Sequence, residues 1–476
     1  MLSKKTVKKT KGKVLLVYPN CEGYGGIPNG LALLSGCLKE AGFETKCFDT
    51  TFLNSPPKTL YYREKHGGMM KSDPAQVWKK WTPELAGQIP DLFQKTIEEF
   101  QPDLIGVNVA DVTYNFSKKL LNGINKKYGI PVVAGGPTPT LAPKLFEKDD
   151  CFDIICVGEG EEALVELAER IVGAKDYSRI PNLWVKKDGE IIKNGLRPLK
   201  NMDELPFQDW SIFDKAHFYK PYCGAFRRTG FFELSRGCPF NCTFCCTANS
   251  KKMYEGLGRF LRQRSIDKAL DEVCAIRDAY NLELVFFIDD NFLGMREERF
   301  NYFCEQYKKR INLPYYIQTR PETIREDYIK KLKETNISTI AIGIENGNEE
   351  FRKKIMNRTM SNAVIEKAFA IVHKYKIRST ANFIIGMPRE EEKTFYDSVR
   401  LVQKINPSSY SVNYFQPYHG TKMREVAVEL GLIPKDHIID ESNTCLDMPQ
   451  FRRERIINCY ENFKKYIENE IPMPVG

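Results

Sequence analysis

Over the first 175 residues, short aliphatic and β-branched runs alternate with stretches whose apolar positions recur at helical spacing. Val14-Leu15-Leu16-Val17 is followed by a glycine-rich loop and then by Leu31, Leu34 and Leu38, which share one helical face. The rhythm repeats at 104–109 with an amphipathic stretch near 118–127, at 131–134 before Gly135 and Gly136, and at 154–157 before Gly158, Glu159 and Gly160. Runs that are apolar at nearly every position and end in a glycine or polar loop are expected of parallel strands covered on both faces. The pattern therefore predicts a doubly wound α/β domain over residues 1–175, with ligands at the carboxyl ends of its strands. A stretch from 55 to 95, holding Trp78 and Trp81, interrupts it.

Pro181, Pro198, Pro206 and Pro221 break residues 176–225, which read as a connector. A second βα series follows over 226–425, with expected strands at 231–235, 284–288, 315–319, 339–344, 382–385 and 410–415. Six units suit an open or partial barrel better than a closed one of eight. Residues 426–476 read as a helical carboxy-terminal region that could cover the barrel mouth.

Composition changes this picture little. The chain has 476 residues, 42% of them hydrophobic, which is ample for more than one packed core. Its 71 basic and 62 acidic residues leave an excess of 71 − 62 = +9, densest at Lys4, Lys5, Lys8, Lys9, Lys11 and Lys13, and a nucleic-acid partner is not indicated. No apolar run approaches the ~18 residues needed to cross a bilayer. With no export signal, the expected location is the cytoplasm, and the 14 cysteines read as reduced thiols or metal ligands.

Cysteine spacing carries the chemistry. Ser235-Arg-Gly-Cys238-Pro-Phe-Asn-Cys242-Thr-Phe-Cys245-Cys246 follows the first strand of the second series with C-x3-C-x2-C spacing. Three thiolates on one short loop can converge on one metal centre and leave a position open, as a four-iron cluster with one free iron requires. A zinc site completed by Cys246 or a distant histidine, or a chance cluster of buried cysteines, are the alternatives. Adjacent Cys245 and Cys246 can hardly both ligate one tetrahedral ion without strain.

Cys238, Cys242 and Cys245 resemble the signature of radical S-adenosylmethionine enzymes, and the first domain resembles their appended cobalamin-binding domain; the likeness runs over roughly 13–425. It implies a [4Fe-4S] cluster on these three cysteines, whose open iron chelates S-adenosylmethionine, and an anaerobic or microaerobic setting. Further positions follow from the resemblance. Asp289 or Asp290, after the second strand, would meet the methionine amino group; equally, the pair could bind a divalent ion or cap a helix. Arg320 would meet a carboxylate or sit in a surface ion pair. Glu345 would lie near the ribose hydroxyls. Gly386-Met-Pro388 continues the pattern, and Pro417 and Tyr418, ahead of His419-Gly420-Thr421, would lie near adenine.

In the first domain, the loops at 23–29, 109–114, 135–138 and 158–160 match the family's cobalamin contacts, so Gly135, Gly136, Thr138, Gly158 and Glu159 are its expected contacts. The D-x-H-x-x-G motif that supplies a histidine beneath cobalt is absent, and Pro137-Thr138 stands where many relatives have a histidine. Cobalamin is therefore expected without a His axial ligand; His66, an isolated surface residue, is given no metal role.

The resemblance implies a class B radical methyltransferase. One S-adenosylmethionine methylates the corrin, a second is cleaved to a 5'-deoxyadenosyl radical, and an unactivated carbon of an organic substrate takes the methyl from methylcobalamin. A reductant such as flavodoxin or ferredoxin supplies the electron. Cyclisation or rearrangement with the same cofactors is the alternative, ahead of a non-enzymatic sensor or carrier. A methylthiotransferase or an auxiliary cluster lacks a further three-cysteine set: Cys21, Cys37, Cys47, Cys223, Cys445 and Cys459 stand alone.

Overall fold

The computed structural model describes residues 10–23, 25–57, 60, 64–65, 70–73, 81–439 and 446–473. His66, Trp78, Cys445 and the lysines at 4, 5, 8 and 9 lie outside them. The chain divides into two compact units, Met1–Pro56 with Lys80–Lys200 and Glu204–Asp214, and Pro57–Lys79 with Asn201–Asp203 and Lys215–Gly476.

The first unit is built on β1 (Lys13–Tyr18), β2 (Glu44–Asp49), β3 (Leu104–Asn108), β4 (Val132–Gly135) and β5 (Ile154–Cys156), all parallel, followed by the antiparallel β6 (Leu183–Lys187) and β7 (Glu190–Lys193). The sheet order is β2-β1-β3-β4-β5-β6-β7. Val14, Leu15, Leu16 and Val17 are completely buried, which is why this strand reads as an unbroken apolar run. Helix Ile89–Phe100 buries Ile89, Phe93, Ile97 and Phe100 at helical spacing, and so occupies part of the stretch that interrupted the sequence rhythm. Strand order reverses between β1 and β3, and at such a switch point open α/β sheets bind their ligands outside the carboxyl ends of the strands.

The second unit begins with β8 (Tyr219–Tyr222) antiparallel to β9 (Ala225–Phe232), then a small ribbon of β10 (Ser235–Arg236) and β11 (Arg262–Gln263). Strands β12 (Leu284–Phe287), β13 (Tyr315–Thr319), β14 (Ile337–Glu345), β15 (Arg378–Ile385) and β16 (Ser409–Tyr414) complete a sheet ordered β16-β15-β14-β13-β12-β9-β8. Six parallel strands form the expected half-barrel. Phe287 and Tyr315 face outward into a fully buried aromatic cluster with Phe303 and Tyr307 of helix Glu297–Arg310. Their neighbours Phe286 and Tyr316 stack on the opposite face, ring centroids 4.1 Å apart.

Two regions differ from the sequence reading. The stretch 176–225 contains two hairpins, one in each sheet, and both turn through residue pairs with positive φ: Asp188-Gly189 (54°, 80°) and Cys223-Gly224 (51°, 80°). Such two-residue turns match the twist of the flanking strands, and Asp-Gly is a strong sequence signal for them. Helices Arg453–Glu461 and Phe463–Ile467 cover the outer side of the last two strands, with Phe463 against Phe383, Phe395 and Tyr410 and with Tyr460 stacked on Tyr414. Among the described residues, no helix is long and apolar enough to cross a membrane.

Candidate active site

The cysteine loop leaves β9 through Leu234 and Ser235, which are fastened to the end of β12. Asp289, 1% exposed, accepts from the Leu234 backbone N–H at 3.1 Å and from the Ser235 hydroxyl at 2.5 Å. Gly237 then turns at φ 91°, where a Cβ would lie 2.9 Å from the Phe260 carbonyl oxygen. A side chain there is excluded by both backbone strain and space. Farther along, Thr243 binds the carbonyls of Met356 and Ile355, Asn357 donates to the Asn241 carbonyl, and the Met423 N–H donates to the Thr243 carbonyl. The loop is thus pinned to the segments after β14 and β16.

Cys242 is buried, whereas Cys238, Cys245 and Cys246 are partly exposed. Arg320 donates from Nη1 to the Cys242 sulfur at 3.0 Å, stacks 3.7 Å from the centre of the Phe240 ring, and forks onto Glu322 Oε1 at 2.9 and 2.5 Å. Arg358 reaches the same sulfur at 3.7 Å. Two guanidinium groups thus stand beside one sulfur.

The Cys245 thiol is pushed down to about 6, first by the Cys246 thiol donating to it and then by Thr247, whose hydroxyl stands 3.2 Å away. Cys246 shifts the other way because it holds the shared proton. Burial raises the Cys238 thiol. Soft thiolates flanked by cations are the donor set an iron–sulfur cluster needs, and the residues fit one. Among the described residues, no group of three or more His, Cys, Asp or Glu closes around a single ion.

The paired aspartates separate. Asp289 has both oxygens engaged within the protein, so it is a fastening of the loop rather than an open ligand. Asp290 is exposed, and its charge raises the thiols of Cys238 and Cys245. It is the member of the pair that faces the cysteines.

Burial pushes the Asp289 carboxyl from 3.8 up to about 7 against its two hydrogen bonds. An acid whose pKa is higher folded than unfolded stabilises the fold fully below its unfolded pKa, and that contribution is lost as pH rises through the folded pKa. Relative to Asp289→Asn, the native protein should lose on the order of 2–4 kcal/mol of stability between about pH 4 and pH 7. Melting temperatures across this range check it; a pH-independent difference would contradict it.

Glu345 ends β14 at φ 77°, and its carboxylate folds back over Gly343, where a Cβ would meet Oε1 at 2.5 Å. Burial raises its pKa, with Arg358 and Arg320 pulling it down. No described residue donates a hydrogen bond to this carboxylate, which leaves it available to a ligand. Tyr418 is 45% exposed, the Pro417 carbonyl accepts from Arg424 at 2.8 Å, and Thr421 caps helix Lys422–Glu429.

Sequence reasoning missed Arg358, Asn346 and Glu390. Arg358 follows a short helix with no periodic or motif signal. Glu390 stands in Arg389-Glu390-Glu391-Glu392, an acidic run that reads as a solvated helix start, yet it is 1% exposed.

In the first unit, Gly135 leaves space at the end of β4: an added Cβ would meet only the Cys156 Cβ, at 3.8 Å. Gly136 turns at φ 109° against Asn108 and Val109 and admits no side chain. Thr138 differs from expectation. It is 1% exposed, and its hydroxyl donates to Asp111 Oδ1 at 2.6 Å, making it a latch between the exits of β3 and β4. Thr140 links the Gly136 carbonyl to the Gly158 N–H, and the Glu159 carbonyl accepts from Asn182. The switch in strand order and the open backbone at Gly135 fit a corrin with a nucleotide tail. The residues assigned to this unit include no histidine.

Residues 232–402 match the family model of the Radical SAM superfamily, and residues 83–168 that of the B12 binding domain. An uncharacterized methyltransferase of Pyrococcus horikoshii is 26% identical over 345 residues, 71% of this chain and 72% of the relative. The anaerobic magnesium-protoporphyrin IX monomethyl ester cyclase of Cereibacter sphaeroides is 23% identical over 345 residues, 69% of this chain and 53% of the relative. The fold is shared with the radical S-adenosylmethionine methyltransferase TsrM of Kitasatospora setae, at a TM-score of 0.65, 16% identity, and 92% and 83% of the two chains.

The chain is a radical S-adenosylmethionine enzyme. More closely, it belongs to those that carry a B12-binding domain, and its cofactors are a [4Fe-4S] cluster, S-adenosylmethionine and cobalamin.

Proposed function

We propose that the enzyme methylates an unactivated carbon of an organic substrate. The observation that carries this reading is the joint presence, in one chain, of a doubly wound domain with open glycine backbone at a strand exit and a half-barrel whose cysteine loop stands beside two arginines and an unbonded glutamate. When bound, the cluster with S-adenosylmethionine supplies hydrogen abstraction and cobalamin supplies the methyl group.

The chain's own residues bind and orient. Cys238, Cys242 and Cys245 hold the cluster, while Cys246 keeps its proton and polarises Cys245. Asp290 accepts from the methionine ammonium, the guanidiniums of Arg320 and Arg358 meet its carboxylate, and Glu345 accepts from the ribose hydroxyls. Pro417 and the exposed ring of Tyr418 border the adenine. Gly135, Gly136 and Gly158 let the backbone approach the corrin or its tail, Glu159 borders the same edge, and Thr138 holds that edge rigid through Asp111. An acidic electron carrier of the flavodoxin or ferredoxin kind delivers the electron, and the cytoplasm, where thiols stay reduced, is the setting.

Radical cyclisation is the second reading, favoured by the protoporphyrin cyclase relative. Methylation predicts that reductive turnover releases S-adenosylhomocysteine in proportion to bound cobalamin. Deoxyadenosine with no S-adenosylhomocysteine at any cobalamin loading would sink methylation in favour of cyclisation.

A further inference from the structure

One buried carboxylate joins the exits of β14 and β15. Glu390 Oε2 accepts from the backbone N–H groups of Gly386 and Met387 at 2.6 and 3.0 Å. Its Oε1 accepts from Asn346 Nδ2 at 2.8 Å and from the Thr394 hydroxyl at 3.4 Å. Asn346 directly follows Glu345, is 1% exposed, and is gripped from other sides as well. Its carbonyl accepts from Arg352 Nη1 at 2.7 Å, and its Oδ1 accepts from the Asn348 N–H at 2.8 Å. The carboxy-terminal region joins in, because Gln450 donates to the Glu390 carbonyl at 3.1 Å.

This arrangement explains how Glu345 keeps its backbone. A glutamate at φ 77° sits in the left-handed region, which non-glycine residues hold only where the surroundings impose it. Among the described residues, no hydrogen bond to the Glu345 side chain does so. The restraint comes through the next residue, and Asn346 is held to the neighbouring strand by Glu390.

We propose that Glu390 is a positioning residue for S-adenosylmethionine binding, setting the aim of the Glu345 carboxylate through Asn346. The proposal rests on the reading of Glu345 as the ribose contact. The two backbone N–H groups and the Asn346 amide are donors that a carboxylate satisfies together, while the Thr394 hydroxyl also donates to the Glu391 carbonyl at 2.8 Å. A glutamine of the same size turns its NH2 either toward the two backbone N–H groups or toward the Asn346 amide and leaves those links unmade.

The test uses the anaerobically reconstituted full chain and equilibrium dialysis of S-adenosylmethionine, with iron content and far-ultraviolet circular dichroism on every sample. Glu345→Gln and Glu390→Gln are each expected to weaken binding about tenfold, and the double variant no more than either single one, because both act on one contact. Asn346→Ser cuts the same link from its other end and should weaken binding similarly, which serves should Glu390→Gln fold poorly. A purely structural role would lower melting temperature and iron content while folded protein kept its native Kd. Weakened binding in Glu345→Gln with native Kd in Glu390→Gln and Asn346→Ser, or strictly additive losses, would overturn the proposal alone. Native Kd in Glu345→Gln would overturn the ribose reading itself and the proposal with it.

Discussion

Replacing any one of Cys238, Cys242 or Cys245 with alanine should abolish the iron–sulfur absorbance of the reconstituted protein, whereas Cys246→Ala should retain most of it. A cluster held at three irons has no substitute donor, because each thiolate satisfies one metal vertex. Cys246 is the one thiol of the four whose proton is held in place, since it donates to Cys245. Its removal carries a smaller signature: without that donor the Cys245 thiol loses the chief influence that brings it down to about 6. Assembly of Cys246→Ala near neutral pH should therefore be slower, and should recover as pH rises. Equal loss of absorbance from all four variants would assign Cys246 as a ligand and contradict the account.

The second large effect is expected at Arg320. Its guanidinium touches the Cys242 sulfur, lies flat on Phe240 and is braced by Glu322, so its charge is fixed beside the cluster thiolate. Removing one positive charge roughly 7 Å from the added electron, at an effective dielectric near 20, is worth about 2 kcal/mol. For one electron that is on the order of 100 mV, and the sign is toward more negative potential, because reduction adds negative charge. Arg320→Ala should show this shift in potentiometry followed by electron paramagnetic resonance. Reductive cleavage of S-adenosylmethionine should fall about tenfold or more, a carboxylate partner being lost as well. Arg320→Lys should restore most of the potential but not the affinity, because an ammonium keeps the charge and lacks the planar fork. An unchanged potential in Arg320→Ala would show that Arg358, 3.7 Å from the same sulfur, carries the electrostatic role alone.

Much of this architecture was legible because parallel strands covered on both faces leave unbroken apolar runs. The strands at 14–17 and 284–287 are such runs, and the exit of the second gives the position of Asp289 and Asp290. The hairpins at 183–193 and 219–232 were not read, although Asp188-Gly189 announces the first. Their strands are short and partly exposed, and prolines around them suggested a connector.

Side-chain direction was harder to read. Phe286 and Phe287 are both apolar although they face opposite sides of the sheet, so hydrophobicity could not set the phase that separates Asp289 from Asp290. Thr138 was read only as a cofactor contact, because only the fold brings Asp111 to its hydroxyl across 27 positions of chain. Glu390 and Arg358 escaped for the same reason. Their partners, Asn346 and Cys242, are 44 and 116 residues away.

The central claim is that one chain uses S-adenosylmethionine in two ways, and counting its products tests this most directly. The protein is reconstituted anaerobically with iron, sulfide and hydroxocobalamin, reduced in the presence of S-adenosylmethionine, and both nucleoside products are quantified by mass spectrometry. The account predicts 5'-deoxyadenosine that disappears in Cys242→Ala, together with S-adenosylhomocysteine that forms only in cobalamin-loaded protein. Deoxyadenosine at the same level in Cys242→Ala, or S-adenosylhomocysteine formed equally without cobalamin, would contradict it.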